Sequence, residues 1–422
     1  MTYKEILPGV KLRVIETDRF ETNCLSVQFK SKMSEDTASM ITLVPRILRR
    51  GTAKHPDMES LAAALDEMYG ARIEAVSRKY GDVIGSGFIC DFVESEEKLL
   101  PDVAELLGEI AFDAKTEHGA FRRDYVDGER ANLIDEIKTE INSKLNYAYL
   151  RASERVLQGT PFAVSELGTE EAAERADENS LFKYYKKVIA EFPCEVFFCG
   201  NYSADEVERE IKKMFTRVKR RFNGGIESEK PVYTESGRVC EKMDVSQANL
   251  LVGLYNENAD VYTAKLFSAI LGGGTTSKLF VNVREKNSLC YFTGSVYDSF
   301  KNTLFMYCGI DPKNEKKAEK AMTEQLSACV AGDITDEEIK NARKGMLDDL
   351  ATIDDSPFSQ EGFWLRAAVS GDERTPEELS LKVKKISADD IISCAKGFKR
   401  AITYLLTGLE GSTDETKLLP RA

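Results

Sequence analysis

Few residues in this 422-residue chain have both the type and the spacing for chemistry. Arg284 and Tyr291, in Arg284-Glu285-Lys-Asn-Ser-Leu-Cys-Tyr291, offer a planar guanidinium fork and a phenolic hydroxyl. Both groups can donate hydrogen bonds to a carbonyl oxygen and to the oxyanion that develops on it under attack. Their plainer reading is an arginine paired with the adjacent Glu285 and a tyrosine in a strand. Glu129 and Glu136 lie two helical turns apart and so share one helix face. They read either as part of a ligand shell or as an acidic, solvated face with Asp127, Asp135 and Glu140. Only two histidines occur, His55 and His118, far apart and both in polar, turn-like sequence. A histidine-pair metal site therefore lacks its imidazoles, and Cys290 lacks a base to make it a nucleophile. There is no Gly-x-Ser-x-Gly elbow. The run Gly272-Gly273-Gly274-Thr275 lacks the spacing of a phosphate loop and reads as a tight turn or a close backbone approach.

The elements that must position these residues recur in order. Residues 10–16 and 24–30 read as strands, and in the second Leu25, Val27 and Phe29 alternate with Ser26, Gln28 and Lys30, the period of a half-buried strand. Helical sequence runs to about Arg50 and into Gly51-Thr52. A helix near 58–69 leads to strand-like sequence over 72–93, then to helical stretches near 95–112 and 120–150. A helix near 180–190 precedes the apolar run Cys194 to Cys199, which ends at Gly200. The second half repeats this plan, from a strand at Asn249 to Tyr255 through to Ile402–Thr407 and Gly408. Such spacing indicates a duplicated unit, since solenoid repeats are far shorter. Ser203 with Glu206, Thr335 with Glu338, and Thr375 with Pro376 and Glu378 mark helix starts. Composition changes abruptly over 219–235, where adjacent glycines predict a linker.

Composition narrows the function classes. A chain of this length exceeds one hydrophobic core, so two or more domains are expected. A formal net charge of −13 argues against a nucleic-acid backbone or an anionic membrane surface as partner. Lys219-Arg220-Arg221 is basic but short and reads as a solvated linker edge. The nine cysteines contain no Cys-x-x-Cys pair and several sit in apolar strand-like runs, which predicts buried reduced thiols. Neither a signal-peptide core nor a run of ~20 apolar residues is present, and a cytoplasmic location is expected. Trp364 is expected in a core or an interface.

Taken together, these motifs resemble the pitrilysin/insulinase family of inverted-zincin peptidases over nearly the whole chain. The family's His-x-x-Glu-His helix runs into a Gly-Thr pair; its two histidines hold zinc and its glutamate activates the zinc-bound water. Counted back from Gly51-Thr52, those positions are Thr42, Pro45 and Arg46, which supply neither metal ligands nor a general base. A cation at position 46 also opposes a metal, by roughly 4 kcal/mol per unit charge 4 Å away at an effective dielectric of 20. The family's Glu-Arg, followed by a third ligand seven residues after the Glu, corresponds to Glu129-Arg130 and Glu136. The glycine-rich turn, the Arg-Glu pair and the later aromatic are kept in full, and by resemblance Arg284 and Tyr291 bind substrate backbone.

The resemblance implies an α+β fold of two duplicated halves, each a mostly antiparallel sheet packed by helices, forming a clamshell. An N-terminal peptidase-like domain over 1–218 would carry the degenerate zinc motif, and a C-terminal one over 236–422 the Arg/Tyr pair, joined by the 219–235 linker. It implies an inactive homologue of zinc metalloendopeptidases, without metal or cofactor. Its expected partner is a zinc-containing paralogous subunit in a heterodimer that acts on peptide substrate. The alternative is a scaffold or peptide-binding homologue with no role in proteolysis.

Overall fold

The computed structural model describes residues 1–95, 97–222, 224–226 and 230–409. The first half of the chain forms strands β1 (Thr2–Leu7), β2 (Val10–Glu16), β3 (Thr22–Lys32), β4 (Arg72–Tyr80) and β5 (Val83–Val93), a short hairpin of β6 (Thr116–Glu117) and β7 (Ala120–Phe121), and β8 (Cys194–Gly200). Its helices are α1 (Ala38–Leu48), α2 (Met58–Glu67), α3 (Leu100–Phe112), α4 (Arg123–Glu140), α5 (Lys144–Val156), α6 (Glu170–Arg175), α7 (Glu178–Glu191) and α8 (Ala204–Met214). The second half forms β9 (Gly237–Lys242), β10 (Ala248–Tyr255), β11 (Phe292–Asp298), β12 (Thr303–Ile310) and β13 (Lys399–Thr407). With them come α9 (Val261–Gly272), α10 (Glu315–Ala331), α11 (Asp336–Ala351), α12 (Pro357–Ser370), α13 (Pro376–Lys385) and α14 (Ala388–Gly397). The capping boxes at Ser203 and Thr375 form as their spacing requires.

The fold is α+β, and the two sheets carry the duplication. One has the order β1-β2-β8-β3-β5-β4, the other β11-β12-β10-β13-β9. Without β1, the first reads strand for strand like the second in reverse. Each has one parallel pair, β2 with β8 and β13 with β9, and is otherwise antiparallel.

Two helices cross the division drawn from sequence. One compact unit comprises Met1–Lys138, Val164–Glu229 and Thr352–Glu373; the other comprises Thr139–Ala163, Lys230–Ala351 and the chain from Arg374. The unit built mainly from the first half thus takes α12 from the second, and the other takes α5 from the first. Residues 223 and 227–229 of the expected linker lie outside the described residues. Arg220, at its start, donates to the carbonyls of Ile189 at 2.6 Å and of Phe192.

In the first unit α12 covers the sheet face that the alternation of β3 assigns to solvent. Leu25, Val27 and Phe29 enter the main core with α1, α3 and α7, as that pattern requires. Ser26 and Gln28 are also buried, however, because Trp364 and Ala367 of α12 pack on the opposite face with Cys24, Phe197 and Cys199. Gln28 Nε2 donates to Glu361 Oε1 at 2.6 Å, and Arg78 of β4 pairs with the other oxygen of this fully buried carboxylate. In the second unit Ala148, Ala152 and Val156 of α5 pack on Leu251, Tyr404 and Leu406. The hydroxyls of Tyr147, at 2.6 Å, and of Tyr404 both donate to Glu241 of β9. Each borrowed helix is therefore held by an apolar contact and by a carboxylate network. Among the described residues, no helix is long and apolar enough to cross a membrane.

Candidate functional site

In the first unit, α1 and α4 bring together the positions that the zinc motif assigns. Thr42 is buried, and its hydroxyl donates to the Glu166 carbonyl at 2.9 Å. Pro45 sits inside α1 and has no N–H for the Ile41 carbonyl one turn back. Ser86 of β5 supplies the missing donor, Oγ to Ile41 O at 2.9 Å, in a buried setting. Arg46 reaches α4 and grips both oxygens of Glu136, at 2.8 and 2.9 Å. One turn further on, Arg50 Nε meets Glu129 Oε1 at 2.5 Å. Each glutamate is thus held by an arginine from the end of α1, Glu129 in a buried setting and Glu136 with its side chain still 47% exposed. Asp127, by contrast, pairs within its own helix with Arg130.

These side chains do not fit a zinc ion. Thr42 has its hydroxyl engaged, Pro45 has no side-chain donor, and the Arg46 guanidinium lies against the carboxylate that would be the third ligand. The bidentate geometry satisfies Glu136 as a metal would, with a charge fixed to the protein. Beside it lies a cavity of about 390 Å³ lined by Thr42, Arg46, Arg78, Glu136 and Glu166, with residues 75–77 of β4 forming one wall. β4 is an edge strand, paired on one side by β5. His55 and His118 lie elsewhere. His55 Nδ1 is 3.0 Å from Glu109, and His118 occupies the β6–β7 turn with φ 52°. No group of three or more His, Cys, Asp or Glu able to hold a metal occurs among the described residues.

Arg284 and Tyr291 both belong to the second unit. Arg284 lies in a π-helical segment, Phe280–Lys286, with its guanidinium 4.7 Å from the centroid of the Phe280 ring. Its contact with Glu285 is long, 3.8 Å, so the ion pair leaves the fork largely free. Tyr291 directly precedes β11; its backbone N–H donates to Gly309 O at 2.8 Å and its side chain is 64% exposed. Between them, burial pushes the Cys290 thiol up to about 11 although the Arg284 charge works in the opposite direction. Cys290 is thus a neutral thiol near neutral pH. The preceding turn has a packing reason for glycine. A Cβ on Gly272 would lie 2.4 Å from Ser295 N of β11, so α9 and β11 can approach only without one. Sequence reasoning picked out Arg46 and Glu136 separately and missed Ser86, Arg50 and Glu361. A basic residue at one ligand position with an acidic residue at another was the signal for the first pair; a hydroxyl across from a helix proline carries none.

Comparison with known proteins agrees with this geometry. Residues 175–346 match the family model described as the peptidase M16 inactive domain. The chain is 26% identical over 415 residues to the "Probable inactive metalloprotease YmfF" of Bacillus subtilis strain 168, covering 96% of this chain and 97% of that one. It is 23% identical over 235 residues to the "Uncharacterized zinc protease YmxG" of the same strain, covering 54% and 56%. A crystal structure of a conserved protein from Enterococcus faecalis V583 has the same fold, with a TM-score of 0.89, 23% identity, and coverage of 98% and 99%. A zinc motif replaced by an Arg46–Glu136 pair, on a duplicated scaffold of this kind, makes the chain similar to the inactive homologues of the M16, or pitrilysin/insulinase, zinc peptidases.

Proposed function

We propose that this chain is the non-catalytic subunit of a heterodimeric zinc peptidase, in which it encloses and orients peptide substrate for a zinc-bearing partner. One contrast carries the reading. The metal positions are filled by an Arg46–Glu136 pair, whereas Arg284 and Tyr291 keep their donors exposed and uncommitted. A chain that had left peptide chemistry altogether would have no use for that second pair. The free edge of β4 beside the 390 Å³ cavity suits an extended peptide, whose backbone can add as a further strand. That one Bacillus strain carries relatives named both as an inactive metalloprotease and as a zinc protease is consistent with paired chains.

Reconstitution tests this. The chain is mixed with a paralogue carrying His-x-x-Glu-His and assayed against a peptide library. The expected result is a 1:1 complex that cleaves peptides faster than the paralogue alone. A paralogue equally active alone, with no complex on gel filtration, overturns the proposal. Peptide binding by this chain with no effect on any paralogue's turnover instead supports the scaffold reading.

A further inference from the structure

The first unit holds a second cavity that the metal-site positions do not share. It measures about 550 Å³, within the range of small-molecule sites. Helical periodicity builds it. Phe182, Lys186 and Ile189 recur at four- and three-residue spacing on one face of α7, and Glu105, Glu109 and Phe112 do the same on α3. Phe112, Phe182 and Ile189 supply apolar surface, and charged groups surround it.

The acids in this lining are already satisfied. Arg217 holds Asp113 at 2.9 Å and also Glu105, with Lys213 a further 3.9 Å from Glu105. Glu109, 5% exposed, is held by Lys54 at 3.2 Å and by His55 at 3.0 Å. Lys186 is different. Its ammonium lies 4.6 Å from the Phe182 ring centroid and has no carboxylate partner among the described residues. The cavity thus combines apolar walls with one unsatisfied cation at its rim. Independently of the partner-subunit reading, we propose that it binds an amphipathic carboxylate, an apolar body ending in a single carboxylate that pairs with Lys186. Such a group could come from a free medium-chain acid or from the C-terminal apolar residue of a peptide. A polyphosphate is a poor match, because its several charges would meet one free cation.

Calorimetric titration of the full chain with octanoate tests the idea, with 1-octanol and acetate as controls. Octanoate is expected to bind saturably at one site per chain, and both controls much more weakly. Lys186→Gln, an exposed substitution that leaves the melting temperature unchanged, is expected to weaken octanoate about tenfold, as loss of a charge-assisted bond requires. Phe182→Leu with the charge intact is expected to weaken it also, by shrinking the apolar wall. A second arm compares a short peptide ending in leucine as free acid and as amide. Tighter binding of the free-acid peptide than of octanoate assigns the ligand to chain termini, and weaker binding assigns it to free acids. Octanol binding as well as octanoate, equal binding of the acid and amide peptides, or an unchanged affinity in the Lys186→Gln chain would each overturn the proposal.

Discussion

At the scale of single residues, the decisive exchange is a guanidinium for a metal ion. Arg46 answers the Glu136 charge from within the chain, so the pocket needs nothing from solution. Restoring Thr42→His, Pro45→Glu and Arg46→His should therefore yield little peptidase activity and weak zinc uptake. Ligands without their supporting hydrogen bonds typically lose 10–100-fold in metal affinity or activity, and here Thr42 is oriented to a carbonyl and Glu129 to Arg50. A triple variant with one tight zinc and family-like turnover, measured by elemental analysis and peptide assay, would show that the surrounding shell survives. Arg284 and Tyr291 differ in kind because their side chains hold little of the fold together. Arg284→Ala and Tyr291→Phe should keep the melting temperature and still assemble with a zinc-bearing partner. Activity of the complex should fall, by about 10²–10³ if either donor meets the developing oxyanion. If they hold only ground-state backbone, KM should rise with kcat unchanged. Arg284→Lys should substitute poorly, since an ammonium lacks the planar fork. Unchanged kcat/KM together with a lowered melting temperature would make the pair structural.

At the scale of elements, α1 shows how a helix tolerates proline. The Ser86 hydroxyl replaces the lost N–H at the Ile41 carbonyl. Ser86→Ala should cost about 1–3 kcal/mol, the penalty for an unsatisfied buried group. The same change in a Pro45→Ala background should cost less, because that background restores the helical N–H donor. Denaturant melts of the four chains would measure the coupling, and additive effects would refute it. In the second unit, Glu319 of α10 links β9 and β13 through Arg238 at 2.6 Å and Arg400. Burial raises the carboxyl pKa, but the two guanidiniums outweigh it and hold Glu319 below its ordinary value. A carboxylate depressed in the folded state contributes stability that is fully present above the unfolded value, about 4.3, and is lost as pH falls through the folded one. Glu319→Gln should thus lower the melting temperature at neutral pH and flatten the acid limb below about pH 4.3; an acid limb unchanged from wild type would sink the assignment. The order of strands and helices, and their repetition, could be read from periodicity and caps. The buried second face of β3 could not, because Ser26 and Gln28 look solvated until α12, hundreds of residues later, lies on them. The same holds for the α5 network on Glu241, whose partners are joined only by the fold.

At the scale of the whole molecule, the borrowed helices make each unit depend on chain from the other half. A chain ended after residue 230 lacks α12 and leaves Cys24, Phe197 and Gln28 without their cover. It should bind a hydrophobic dye and melt without cooperativity, and a peptide spanning 352–373 added in trans should reverse both. A cooperative melt without that peptide would show that the sheet is self-sufficient. Trp364 is the only tryptophan in the chain, so its emission follows this docking directly. The consequence reaches into biosynthesis. The last strand of the first sheet is complete at Gly200, yet its covering helix begins at Pro357. At about 5–20 residues per second, that interval lasts on the order of 8–30 s. For that time the growing chain carries an uncovered sheet face on which Cys24, Phe197 and Cys199 lie among polar neighbours, a surface for which a holding chaperone and a neighbouring nascent chain compete.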